Sequence, residues 1–244
     1  MKRVQDAENS RNKLHRITRH LYSSRTGETS GFWVRVPGGA PTGPHPRGWG
    51  PVSCRRVVHL AIPSPRREDG GMADDEMWDV TDVQGTPTGT LHRRGDGPVP
   101  AGSFHIVASV CVVASTGRVL VSLRAEGKDY PLAWEFPAGS ALRGESSRRG
   151  AIRELDEEVG ISVLPDDLVL VGRVIEERAL FDLWTVHVDG EPAVVVDPEE
   201  VREAEWVDLD EVHRRWQAGV FASPWNARFA QLWASLERAV RAES

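Results

Sequence analysis

Three glutamates at helical spacing constrain this chain more than any other feature. Glu154, Glu157 and Glu158 stand at i, i+3 and i+4 within residues 146–159. On an α-helix these positions share one face, so three carboxylates converge and their repulsion opposes folding unless a cation neutralises them. Ala151, Ile152, Leu155 and Val159 recur at the spacing that seats a helix on a sheet. Gly160 follows as a left-handed stop. Taken in isolation, Glu157 and Glu158 read as an ordinary solvated face. Ligands that are all oxygen select Mg²⁺ or Mn²⁺, and Mg²⁺ keeps waters and contacts substrate phosphates rather than sitting in a closed protein cage.

The rest of the 244-residue chain divides at about residue 72. Residues 1–71 carry 13 Lys/Arg against 5 Asp/Glu, whereas the remainder is strongly acidic and the net charge is -6. From residue 31 to 71 the sequence is crowded with Gly, Pro and Arg, and it cannot bury enough apolar surface to offset its chain entropy. We read residues 1–71 as a disordered basic extension that need not belong to the natural protein, since Met72 opens a new composition, and residues 72–244 as the folded domain. A basic arm for nucleic acid is the functional alternative; disorder without that role is the simpler reading, so nucleic acid is not an expected partner.

Two cysteines, Cys54 and Cys111, make neither a disulfide framework nor a thiolate metal site. No stretch reaches the roughly 18–20 apolar residues of a membrane span, and the N-terminus lacks the apolar centre of a signal peptide. The expected location is the cytoplasm, with no membrane partner.

Periodicity and turn residues predict strands at 78–83, 105–114, 118–124, 168–176, 180–188 and 203–207. A short strand-like segment lies at 134–136, and helices are predicted at 146–159, 208–217 and 224–241. Strands and helices in this order imply an α/β fold, with one mixed sheet and helices on its faces.

The string from Gly139 to Ile161 reads Gly, five residues, Glu145, seven residues, then Arg153-Glu154-Leu155-Asp156-Glu157-Glu158-Val159-Gly160-Ile161. It resembles the Nudix box at every specified position. Seven fixed residues at roughly one in fifteen each make a chance match about one in a million for a chain this long. The resemblance implies a Nudix-type α/β/α sandwich and metal-dependent hydrolysis of a small-molecule diphosphate. By residue, it implies Glu154, Glu157 and Glu158 as ligands of Mg²⁺ (or Mn²⁺), with Glu154 also positioning or deprotonating water, and Gly139 offering its carbonyl. Arg153 would orient Glu154, and Glu145 would support the site from the front of the helix. The family's further acidic ligand lies on a loop before a Trp-bearing strand; here four glutamates compete, Glu199, Glu200, Glu203 and Glu205, and Glu200 is the choice.

Outside the box, WDVTDVQGTPTGTLHRR, SFHIVASVCVV, GRVLVSLRAEGK and FASPW resemble the isopentenyl-diphosphate isomerase-like branch, in which the positions of Arg124 and Lys128 contact the substrate diphosphate. The isomerase's cysteine and its neighbouring metal-binding histidine fall where this chain has Ala138 and Ser140. His105 matches another metal-binding histidine of that enzyme, yet without the partner ligands it reads as structural. Three functions follow in descending order: hydrolase of a nucleoside diphosphate derivative or related organic diphosphate, non-catalytic Nudix binding or regulatory module, and isomerase. Trp134, Phe181, Trp184 and Trp225 are candidates for stacking on a base, although such spacings more often mark core. A homodimer is common in the family.

Overall fold

One strand, apolar on both sides, dictates the layers. In the segment from His105 to Ala114, Cys111 and Val113 enter one core, while Ala108, Val110 and Val112 enter another. A strand buried on both faces needs a covering layer on each. The computed structural model describes residues 76–242, so the reading of residues 1–71 lies outside the described residues. In chain order the elements are β1 (Met77–Thr81), β2 (Pro87–Arg93), β3 (His105–Ala114), β4 (Val119–Arg124), β5 (Trp134–Glu135), β6 (Ala138–Ser140), α1 (Ser147–Val159), β7 (Val169–Ile175), β8 (Ala179–Val188), β9 (Val201–Val207), α2 (Leu209–Gln217) and α3 (Pro224–Arg241).

A seven-stranded sheet runs β5-β4-β3-β8-β7, with β6 paired to β3 and β9 to β4. It is mixed: β3 and β8 are parallel over ten residue pairs, from His105↔Ala179 to Ala114↔Val188, and the other pairs are antiparallel. Helix α1 covers one face through Ala151, Leu155 and Val159. On the other face α2 and α3 deliver Leu209, Val212, Trp225, Phe229, Leu232, Leu236 and Val240. Phe136 meets Trp225 and Phe229 edge-on, at ring separations of 5.2 and 6.0 Å, the geometry that aromatic quadrupoles prefer. The fold is an α/β/α sandwich with a mixed sheet.

Two elements differ from the sequence expectation. β2 pairs with β1 as a separate two-stranded sheet, although PTGTLHR reads as turn and linker. It is largely exposed, so no alternation of burial marked it. β6 is only three residues long and is held by its register on β3, Val107↔Ser140, Ala108↔Gly139 and Ser109↔Ala138. That pairing fixes Gly139 beside Glu154 of α1. The β4–β9 pairing brings Arg124 opposite Val201, which places the 197–200 turn beside the end of β4. No helix among the described residues is long and apolar enough to cross a membrane.

Candidate active site

Helix α1 starts where Ser146 accepts a bond from the Arg149 N–H at 3.3 Å. It ends at Gly160, whose φ of 69° lets its N–H turn back to the Asp156 carbonyl. These caps satisfy end groups that would otherwise be orphaned, and so set which residues face the sheet. Ala151, Leu155 and Val159 seat the helix, and Glu154, Glu157 and Glu158 follow on the flank toward β6.

Burial differs sharply among the three. Glu158 is 4% exposed, the Glu154 side chain 16%, and the Glu157 side chain 50%. Burial is the main force that pushes Glu158 well above the ordinary carboxylate range, and the charges of Glu135, Glu154 and Glu200 add to it. A single backbone N–H, from Ala138 at 3.3 Å, bonds its Oε2. Burial likewise raises Glu154 to about 7 against the pull of Arg153, with Glu157 and Glu76 pushing upward. An ideal Cβ built on Gly139 would lie 2.1 Å from both Cδ and Oε1 of Glu154, so only glycine leaves room for that carboxylate.

Arg153 ties the helix face to the preceding loop. Its Nη1 donates to Glu154 Oε1 at 2.8 Å and to Glu157 Oε2 at 2.9 Å. Its Nε donates to Glu145 Oε1 at 3.0 Å, and its Nη2 to the Ser140 carbonyl at 2.9 Å. Burial alone would weaken the guanidinium's hold on its proton, but Glu154, Glu145 and Glu157 outweigh it and keep Arg153 charged. Glu145 is itself fixed by the Leu142 N–H at 2.9 Å. Such charge-assisted bonds are the strong ones.

Arg124 donates from Nε to the Asp129 carbonyl and from Nη1 to Glu135 Oε1, each at 2.5 Å. Lys128 Nζ stands 2.5 Å from Glu200 Oε2. Of the four glutamates competing near β9, Glu200 is the one whose charge acts on Glu158, whereas Glu205 is bonded to Arg215 at 2.6 Å. Glu135 was missed in the sequence. Its carboxyl is buried and raised above its ordinary value, chiefly by that burial, although Arg124 pulls it down. The signal was a glutamate between two aromatics in a strand, because a buried carboxylate needs a cation.

As the side chains stand, no three acidic, histidine or cysteine groups among the described residues close around one point. Arg153 fans out Glu145, Glu154 and Glu157, while Lys128 holds Glu200. The donor chemistry nonetheless fits a hard divalent cation. Glu154 and Glu158 are carboxylates pushed toward protonation by burial and by each other's neighbours, and a cation would relieve that cost.

The stacking candidates are occupied or enclosed. Arg215 lies over Trp134 at 4.1 Å, Arg148 over Trp184 at 5.0 Å and Arg228 over Phe181 at 3.9 Å, and Trp225 is fully buried. His105 stacks on Trp78 at 4.4 Å and its Nδ1 sits 3.0 Å from the Arg178 carbonyl, a structural place. Cys111 is wholly buried, and that burial raises its thiol pKa.

A mixed sheet between helices, with an arginine-clamped glutamate face on one of them, defines the class as an α/β/α domain with an acidic site. The NUDIX domain model matches residues 103–229. An uncharacterized Nudix hydrolase of Listeria monocytogenes is 32% identical over 149 residues, which cover 60% of this chain and 88% of that protein. An isopentenyl-diphosphate Delta-isomerase of Cereibacter sphaeroides is 34% identical over 122 residues, covering 46% of this chain and 68% of the isomerase. The crystal structure of DR0079 from Deinococcus radiodurans shares the fold, with a TM-score of 0.51 at 17% identity over 60% of this chain and 92% of that one. The chain belongs to the Nudix hydrolase family.

Proposed function

We propose that this chain is a metal-dependent hydrolase that cleaves the diphosphate linkage of a nucleoside diphosphate derivative or related organic diphosphate. The observation that carries the reading is the pair of buried carboxylates on one helix flank, Glu154 packed against Gly139 and Glu158 bonded to the Ala138 N–H beside the charges of Glu135 and Glu200. Glu154, Glu157 and Glu158 would hold Mg²⁺ or Mn²⁺, with Glu200 and the Gly139 carbonyl completing the donor set. When bound, the ion supplies positive charge that polarises a phosphoryl oxygen and acidifies nearby water.

The chain's own groups do the rest. Arg153 fixes the Glu154 carboxylate through Oε1, which leaves Oε2 to accept the proton of the attacking water. Glu145 holds Arg153 in register. Arg124 and Lys128 exchange their present carboxylate and carbonyl partners for the substrate's phosphate oxygens, one as a planar fork and one as a mobile point charge. The likeness to an isopentenyl-diphosphate Delta-isomerase supports an organic diphosphate as ligand. It does not support isomerisation: Ala138 and Ser140 offer no thiol or imidazole, and the Cys111 thiol lies in the core. Cys111 is free, which suits a reducing compartment, and we place the protein in the cytoplasm.

The test is release of phosphate or monophosphate from nucleoside diphosphate derivatives, dinucleoside polyphosphates and prenyl diphosphates, each with Mg²⁺, Mn²⁺ or chelator. Cleavage that chelator abolishes is the expected result. Binding of these compounds with no cleavage of any would replace the hydrolase with a binding module.

A further inference from the structure

The loop between β4 and β5 contains two residues that the proposed chemistry leaves unused. Tyr130, with φ of 53°, and Leu132, with φ of 57°, are the only non-glycine residues with positive φ among the described residues. The Ala133 N–H returns to the Tyr130 carbonyl at 3.3 Å, with Pro131 second in the turn. A proline second and a positive φ third is the pattern of a type II turn, whose third residue is ordinarily glycine or asparagine. A leucine there is held against its steric preference. Packing does not explain it: Leu132 is 46% and Tyr130 49% exposed, and neither joins a core cluster.

The loop's position supplies the explanation. The Leu132 N–H bonds the Arg124 carbonyl at 3.2 Å, Asp129 receives Arg124 Nε, and Lys128 lies two residues before Tyr130 against Glu200. The turn that holds the two strained residues is therefore bonded to the backbone of Arg124 and begins two residues after Lys128, the two cations assigned to the diphosphate. We propose that Tyr130 and Leu132 form the subsite for the nucleobase of a nucleoside diphosphate derivative, the phenol ring stacking on the base and the leucine closing one edge. This rests on the diphosphate reading of Arg124 and Lys128 given above. Trp134, Trp184 and Phe181 are capped by arginines and Trp225 is buried. A flat base is satisfied by a platform that is half open to water, whereas a prenyl chain needs an enclosed apolar pocket.

The experiment is calorimetric titration of the full chain, in Mg²⁺, with the four nucleoside monophosphates, ribose 5-phosphate and isopentenyl monophosphate. At least one nucleoside monophosphate binds about tenfold or more tightly than ribose 5-phosphate, as stacking on one ring provides. Tyr130→Ala removes most of that preference, Tyr130→Phe retains it, and neither alters the affinity for ribose 5-phosphate. Leu132→Gly also reduces the preference while its Tm stays or rises, because glycine relieves the turn; unchanged selectivity in this variant would remove the leucine from the subsite. The proposal is overturned if the base adds no affinity, if Tyr130→Ala keeps the full preference, or if isopentenyl monophosphate is the ligand that Tyr130→Ala loses. Failure of the hydrolytic reading is seen separately, as absence of metal-dependent cleavage while the base preference persists.

Discussion

Gly139→Ala isolates the placement of one carboxylate from the stability of the fold. The new Cβ would lie 2.1 Å from Cδ and Oε1 of Glu154 and 2.5 Å from Oε2, and no backbone atom is among those contacts. Ordinary contact begins at about 3.4 Å, so the carboxylate must retreat by about 1.3 Å. It is the far end of a flexible side chain, and Gly139 is not among the positive-φ glycines, so the strand itself accepts alanine. Restricting the unfolded chain contributes about 0.4–1 kcal/mol in favour of the variant. Weakening the Arg153–Glu154 bond costs about 1–3 kcal/mol. The net change is a loss of about 1 kcal/mol, or a few degrees in Tm. Catalysis has no such offset, because a misplacement of about 1 Å can cost about 100-fold. Thermal unfolding and metal-dependent product release, measured on the same preparation, give both numbers. Wild-type turnover in a folded Gly139→Ala protein would refute the placement of Glu154, and a loss of activity that merely tracks unfolding would refute the argument about cost.

The other predictions concern charge and chain extent. Glu157→Gln, at a half-exposed position, leaves Tm within about 2 °C and lowers turnover by at least about 100-fold, and equal turnover in a kinetic assay would remove Glu157 from the metal site. In metal-free protein Glu154 titrates near 7 rather than near 4.5, so the folded state binds more protons than the unfolded chain across that window. Stability therefore falls as pH rises from about 4.5 to about 7, by an amount on the order of 1–3 kcal/mol, and Mg²⁺ restores it; denaturant titrations that are flat over this range contradict the assignment. Removing residues 1–71 leaves kcat/KM within about twofold and binding to DNA absent, and a large loss of activity on trimming would place that segment in the functional domain.

What the sequence made legible follows from periodicity. The continuous apolar run of β3, the apolar seat of α1 and the glycine at 160 are local signals that survive folding unchanged, and α3 occupies the predicted range, 224–241. The box spelled out the acidic helix because its chemistry depends on spacing along one helix. The partnerships across elements were not legible. That Arg153 would reach Glu145, Glu154 and Glu157 together depends on the loop turning back at Leu142. That Glu135 would pair with Arg124 depends on the β4–β5 register, Ser122↔Glu135. The stacking candidates illustrate the same limit, since Arg215 covers Trp134 from a helix about eighty residues further on. Tyr130 and Leu132 were hidden for a different reason: a positive φ is a property of the folded turn, and proline followed by leucine gives no hint of it.

The most direct test is titration of the full chain with Mn²⁺, followed by electron paramagnetic resonance, in the wild type, Glu154→Gln and Glu158→Gln. The carboxylate face described here predicts at least one bound ion per chain and weakening of about tenfold or more in each variant. Mn²⁺ that does not bind, or that binds equally to all three proteins, would contradict a metal site on this face.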